Sequence, residues 1–553
     1  MIDLPGRLRA RRERRAHRQA ALEEVDALAR RPLISIVMPT YETEPRYLRA
    51  AIDSVRAQGY PHWELCIADD GSRSPGVRSE IERYLKRDRR IRATFLPENR
   101  GISAASNAAL ELCRGEFVAF CDHDDELMPQ ALLVVAAALA ADPEIDVVYT
   151  DSDKLTPGGR RQDPFLKPDF SPVYALGAMY IGHLLVVRRS LATEVGGFDP
   201  AFDTIQDFEF FLRVSERATR IEHVARVLYG WRAIPGSIAA GALEKPGVPE
   251  LQARAVTEHL DRLGVPADAE PHPAIPHRAR LVPGGGAPCG RVSVITGWRG
   301  REEPLARALA SVCAVSEWPE LEVIVVAERG AEAPSLPDDR RLELVAELEP
   351  GDGLARAANL GAARASGEHL LFLSDFAEVS EPDWVELLMV HARLPGAVAA
   401  GPLLVRPDGR VEQAGLAIGL HPAPAMSMHA GALADGDGYY GSLPCARDVS
   451  ALSAECMLVD AGAFRELGGF CEEFRSGYWD VDLCQRLRAA GGRLVYAPRP
   501  HVVTHETPAE REAALDVIDR ALFVDRFYDE LLRGDPFYNP GFSPASAGFL
   551  PAV

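Results

Sequence analysis

Two short acidic stretches hold side chains suited to chemistry: Asp69-Asp70-Gly71-Ser72 and Asp122-His123-Asp124-Asp125. A hard divalent cation needs only one or two carboxylates, because water and the oxygens of a bound phosphate complete its shell. Asp122-His123-Asp124 is therefore suited to neutralising a diphosphate as it departs. Moving a group off a nucleoside diphosphate also requires something that takes a proton from the incoming hydroxyl. A solvated acidic loop is the plain alternative, so the meaning of these residues rests on where they sit.

The elements around them supply that position. Ile34-Ser35-Ile36-Val37 is a β-branched run followed by a polar turn and a helix around Tyr47 to Gln58. Glu64 to Ala68 predicts a second strand ending at Asp69, and Glu116 to Cys121 another ending at Asp122. Alternating strands and helices predict an α/β fold with a mostly parallel central sheet flanked by helices. Ligands of such sheets lie beyond the carboxyl ends of the strands, where both acidic stretches fall.

The pattern then repeats. Ser35 and Ser293 lie 258 residues apart in matching strands, as do Glu64 and Glu322. Gly101 to Asn107 returns as Gly353 to Asn359, Val195 to Phe198 as Leu467 to Phe470, and Asp207 with Arg213 as Asp480 with Arg486. The growing offset implies an insertion of about 20 residues in the second copy. The expected organisation is an Arg-rich helix over 1–31, one domain over 32–264, a Pro-, Gly- and His-rich linker over 265–290, a second domain over 291–510, and a helix and tail over 511–553.

Composition limits the partners. A formal net charge of −20 argues against nucleic acid, which needs a basic face. Nine scattered Cys without a C-x-x-C pair fit reduced thiols of a cytoplasmic protein rather than structural zinc. The Arg-rich opening lacks the apolar stretch of a secretory signal, and the longest apolar run, Ala131 to Ala141, is about half a membrane span. Nine Arg between residues 7 and 31 suit either a solvated helix or peripheral docking on the inner membrane face.

Pro39-Thr40-Tyr41-Glu42, Asp69-Asp70-Gly71-Ser72, Asn99-Arg100-Gly101 and Asp122-His123-Asp124-Asp125 resemble the successive motifs of family-2 glycosyltransferases of the GT-A fold. Tyr180 to Leu185, Val195 to Phe198, Gln206-Asp207 and Val227 to Arg232 continue the likeness over roughly residues 32 to 260. Asp448 to Thr507 is similar to the rhamnosyltransferase-like branch. The resemblance implies two tandem GT-A-type domains and an inverting transfer from a nucleotide-sugar, a UDP-hexose or dTDP-rhamnose, to a glycan or lipid-linked acceptor. It implies that Pro39, Thr40, Glu42, Asp69, Asp70, Asn107, Asp122 and His123 contact the nucleotide-sugar, and that Asp124 holds Mn²⁺ or Mg²⁺. Asp207 becomes the base, with Gly182, His183 and Gln206 near the acceptor. For Asp207 the structural alternative is a carboxylate capping its own helix.

The second copy departs from this set. Aligning Glu126 with Glu378 puts Phe376 opposite Asp124, and Ala327-Glu328 opposite Asp69-Asp70, which predicts a degenerate site retaining Asp480 and His505. Gly230 stands where the family's metal-binding histidine is expected. Other readings are a glycan- or protein-binding scaffold and a nucleotidyltransferase. The absence of G-x-G-x-x-G after the first strand and of any G-x-x-x-x-G-K-[ST] removes hydride and P-loop chemistry. No Gln-x-x-Arg-Trp motif points to processive synthesis.

Overall fold

The computed structural model describes residues 23–233, 247–285, 290–298, 300–329, 334–506 and 516–552. The chain forms two compact units, one of residues up to Phe170 with Met179–Ala255, the other of Ser171–Ala178 with the chain from Val256.

In the first unit the strands are β1 (Ile34–Thr40), β2 (Trp63–Asp69), β3 (Ile91–Phe95), β4 (Phe117–Phe120), β5 (Glu126–Leu127), β6 (Ile145–Leu155), β7 (Arg161–Phe165), β8 (Leu185–Arg188) and β9 (Arg220–Arg232). They run β3-β2-β1-β4-β8-β6-β9-β5, with β7 beside β6. The β3-β2-β1-β4 half is parallel. Strand β8 enters antiparallel between β4 and β6, and β6 is again parallel to β9. Every residue of β1 and β2 is buried, which explains why both are mainly apolar, with the polar Ser35 and Glu64 bonded to each other. The helix Pro45–Arg56 starts on a proline and buries Leu48, Ala51, Ile52 and Val55 along one stripe.

In the second unit β10 (Ala267–Pro271) and β11 (Ala279–Pro283) precede β12 (Val292–Gly297), β13 (Leu321–Glu328), β14 (Leu342–Leu348), β15 (His369–Leu373), β16 (Ala377–Val379) and β17 (Ala397–Val405). Then come β18 (Val411–Gln413), β19 (Leu416–Ile418), β20 (Ala425–Ser427), β21 (Arg447–Asp448), β22 (Cys456–Asp460) and β23 (Arg493–Thr504). Its main sheet runs β14-β13-β12-β15-β22-β17-β23-β16, strand for strand the order of the first. The inserted residues fall between β17 and β22, where β19 and β20 form a small hairpin.

The repeated residues are brackets within each fold. Ser35 donates to Glu64 at 2.7 Å and accepts from the Gly115 N–H at 2.8 Å. Ser293, Glu322 and Gly367 make the same pair of bonds. Arg213 donates to Gly197 O and Arg486 to Gly469 O, both at 2.8 Å.

Two expected boundaries differ. The segment 265–290 is not a linker over its length: β10 pairs with β11 through five residues of each strand, in the second unit. Pro273 and Pro276 lie in the connection between the strands, while Ala267, Ala279 and Leu281 are buried. The C-terminal helix Val517–Arg526 is likewise part of that unit, because Asp519 accepts the N–H groups of Arg475, Ser476 and Gly477 at 3.1, 2.8 and 3.0 Å. Of the Arg-rich opening, residues 1–22 lie outside the described residues and 23–27 are helical. No helix of the described residues is long and apolar enough to cross a membrane.

Candidate active site

Three strand ends and one helix start converge in the first unit. Thr40 closes β1 directly beside Asp69 at the end of β2. Beyond β4 the chain turns through Asp122, His123 and Asp124, and His123 Nδ1 lies 3.1 Å from the Pro39 carbonyl. The Asp122 carboxylate lies 3.3 Å from His183 Nε2, and the His183 ring stacks on Tyr229 at 5.0 Å. Asp207 opens the helix Gln206–Ser215 and accepts the Phe208 N–H at 2.9 Å. Asp122, Gly182, His183, Gln206 and Asp207 line a common cavity of about 30 Å³ with Pro39.

Charge in this cluster is shared unevenly. Burial alone would lower the His183 imidazole, but Asp122 outweighs it, with Asp207 and Asp125 adding, and the ring is pushed up to about 9. Burial likewise works against the Asp122 charge, yet His183 holds its carboxyl below the usual value. Asp124 and Asp207 are both raised, chiefly by burial; His123 opposes the rise at Asp124 and His183 that at Asp207. The set thus contains one carboxylate held charged and two that gain from a cation or a proton.

Four buried polar atoms in this region have no hydrogen-bond partner: Thr40 Oγ1, Asp69 Oδ1, His183 Nδ1 and Gln206 Oε1. Such atoms cost free energy unless something bonds them. All four belong to residues expected from sequence to meet the nucleotide-sugar or the acceptor.

Other expected contacts are spent on the fold. Asn107 donates to Phe198 O at 2.8 Å and accepts from Phe198 N at 2.9 Å. Asn359 treats Phe470 identically, at 2.9 Å each way. Asn107 thus brackets the Phe198 backbone with both ends of its amide. Asp70 accepts the N–H groups of Arg100 and Gly101 at 2.8 and 3.0 Å, fixing the loop that leads into the helix Ile102–Glu111. Glu42 is exposed, with φ of 45°, and accepts from the Arg73 N–H at 2.7 Å, tying the loops after β1 and β2 together.

The histidine position is also corrected. Glu126 pairs with Gly230 and Glu378 with Val503, so Arg232 stands in register with His505. The side chains agree: Arg232 is bonded to Glu126, and His505 Nε2 lies 2.7 Å from Glu378. A Cβ at Gly230 would meet the Leu155 side chain at 2.8 Å, which explains the glycine. Arg232 is 3% exposed and donates to the Asp124 carbonyl at 2.7 Å, fixing the turn that carries the Asp-x-Asp.

Sequence reasoning gave no role to Lys167 or Asp125. The Lys167 ammonium donates to the carbonyls of Thr150, Ile181 and His183 at 2.6, 2.5 and 2.8 Å, clamping the segment with Gly182 and His183. Asp125 accepts from the Tyr229 hydroxyl at 2.6 Å and the Arg232 N–H at 2.7 Å. A lysine inside an unremarkable stretch leaves no sequence signal, whereas Arg232 was findable by carrying the offset between Asp207 and Asp480 forward to His505.

Residues 35–196 match the family model described as glycosyl transferase family 2. The amino-terminal unit carries a domain of that family, with the mixed α/β sheet of a GT-A-like fold. Over 95% of its length the chain is 36% identical to uncharacterized protein y4gI of Sinorhizobium fredii, covering 60% of that protein. Over 98% it is 33% identical to O-antigen biosynthesis protein RfbC of Myxococcus xanthus, covering 42%. The chain thus spans about half the length of these relatives. S. aureus TarS 1-349 in complex with UDP-GlcNAc aligns with 41% of this chain and 66% of that one at 22% identity, with a TM-score of 0.34.

Proposed function

We propose that the amino-terminal unit transfers a sugar from a nucleotide-sugar to a hydroxyl of a glycan or lipid-linked acceptor, with inversion at the anomeric carbon. The coincidence of four orphaned buried polar atoms with residues named from the family motifs carries this reading. Thr40 and Asp69 face the nucleoside and Asp122 the ribose or diphosphate. Asp207, a single carboxylate raised by burial, takes the acceptor proton as the hydroxyl displaces the diphosphate. One base without a nucleophile means one displacement, hence inversion.

The donor set fits a hard cation in one limited way. Among the described residues no cluster of three or more His, Cys, Asp or Glu forms a closed cage. Asp124 offers carboxylate oxygen alone, which suits Mg²⁺ or Mn²⁺ completed by water and phosphate. When bound, such an ion neutralises the departing diphosphate. Arg232 holds the Asp124 backbone in place for that task. The same reading puts the protein in the cytoplasm, at the inner face of the membrane if the acceptor is lipid-linked.

The test is nucleotide release from a donor panel of UDP-glucose, UDP-galactose, UDP-GlcNAc and dTDP-rhamnose, with Mn²⁺ or with EDTA. Wild type should release nucleotide from one donor only with metal, and Asp124→Ala should not. If no donor is turned over and UDP with Mn²⁺ fails to raise the melting temperature, the scaffold reading replaces this one.

A further inference from the structure

A buried ammonium stands behind the candidate active site without lining it. Lys167 follows β7 inside the first unit, where taking a charge out of water is expensive. Its Nζ meets that cost with backbone, donating to the carbonyls of Thr150, Ile181 and His183. An ammonium has three protons to give and a neutral amine two, so only the charged form can bond all three carbonyls. Burial pushes the group down to about 7, and Asp151 works against that fall. The three-bonded form therefore prevails on the acid side of neutrality.

Two of the three carbonyls flank Gly182, which sits at φ of 46°. From that fixed backbone the His183 ring reaches Asp122 and stacks on Tyr229, with interplanar angle 26°. The lysine is itself held. Its own N–H donates to Asp151 Oδ1 at 2.8 Å, the oxygen that also lies 3.0 Å from His223 Nε2, and His223 Nδ1 lies 3.0 Å from Asp169. The His223 ring stacks on Tyr149 at 4.7 Å, and the Tyr149 hydroxyl donates to Pro168 O at 2.6 Å. Hydrogen bonds thus run without a break from β6 and β9 through Lys167 to the His183 backbone.

The chemical consequence follows from charge. Asp122, Asp125 and Asp207 face the His183 ring, and its positive charge opposes the rise of the Asp207 carboxyl. A base must be ionised to accept a proton. With the ring displaced, Asp207 would keep its proton to higher pH and be lost as a base on the acid side.

We infer that Lys167 is a positioning residue for transfer: its ammonium sets the backbone from which the His183 ring meets Asp122. It touches no reacting atom. The role rests on the transfer proposed above, but the place of the ring can be read without turnover.

The full chain, labelled with [13C]histidine, is compared at pH 6 as wild type, Lys167→Met and Lys167→Gln, with His183→Gln identifying the resonance. At that pH the lysine is charged and the ring is mainly imidazolium in either place, so the signal reports position. In wild type the Tyr229 ring current displaces the His183 Cε1–H signal. In Lys167→Met it should move to the ordinary imidazolium position while that of His123, which meets Pro39, stays. Lys167→Gln, whose amide ends short of the carbonyls, should act likewise and decides the matter if Lys167→Met does not fold. With a donor that wild type turns over, kcat should fall about tenfold or more at pH 6 and less at pH 8, with donor KM little changed. An unmoved His183 signal, His183 and His123 signals moving together, or equal losses of kcat at both pH values overturns the proposal. Absence of turnover in wild type removes the transfer reading, and the His183 signal still decides whether Lys167 places the ring.

Discussion

His183 Nε2 lies 3.3 Å from the Asp122 carboxylate, which places an imidazolium between the Asp-x-Asp turn and the start of the helix that carries Asp207. The pair gives the first unit an internal cation before any ligand arrives. It also makes the stability of that unit depend on pH.

Because the folded His183 titrates at about 9 against an ordinary value of 6.5, its stabilisation is fully present below pH 6.5 and is lost as pH rises through 9. A shift of that size corresponds to on the order of 3 kcal/mol. His183→Gln should therefore lower the denaturant midpoint of the first unit at pH 6 and differ much less from wild type at pH 9.5. Equal losses at both pH values would show that the Asp122 pair contributes nothing.

Asp207→Asn keeps the shape of the helix start but cannot accept a proton. Turnover should fall by about 10²- to 10⁴-fold, the usual worth of a positioned base, with nucleotide affinity retained. His505→Ala, which removes only the pair with Glu378 in the second unit, should leave donor turnover within about twofold of wild type. Steady-state kinetics that reversed these results would assign transfer to the second unit.

Asn107→Ala and Asn359→Ala each remove a bracket that satisfies both backbone groups of one phenylalanine. Each should cost about 1–3 kcal/mol of stability, and the KM for the donor should not move in Asn107→Ala. A raised KM with unchanged melting would restore Asn107 to the binding site.

Gly101 sits at φ of 93°, and a Cβ there would come within 2.0 Å of the Asp203 carboxylate that accepts the Ser103 N–H at 3.1 Å. Gly101→Ala should destabilise the first unit by about 1–3 kcal/mol through backbone strain and displacement of Asp203. Thermal melting beside Asp203→Ala would show whether the two losses overlap.

The sequence by itself determined the tandem plan, the strand ends and the acidic residues stationed there. Strand period, apolar runs and a repeated motif are local properties that the sequence records directly, while the roles expected of Thr40, Asp69, Asp122 and Asp207 came from the resemblance to family-2 glycosyltransferases. Only the tertiary structure decided which polar groups remain available. Asn107 looks like a binding residue in the motif, and the fold also engages it with both backbone groups of Phe198, 91 positions away. Arg232 instead of Gly230 matches His505 because strand register fixes the correspondence, the same one that the offset between Asp207 and Asp480 gives. Lys167 acquires its role only when three carbonyls from two separate segments close on one ammonium. The physical reason is the same in each case: a side chain's type is set by its codon, but its free valence is set by whichever backbone group the fold brings within 3 Å.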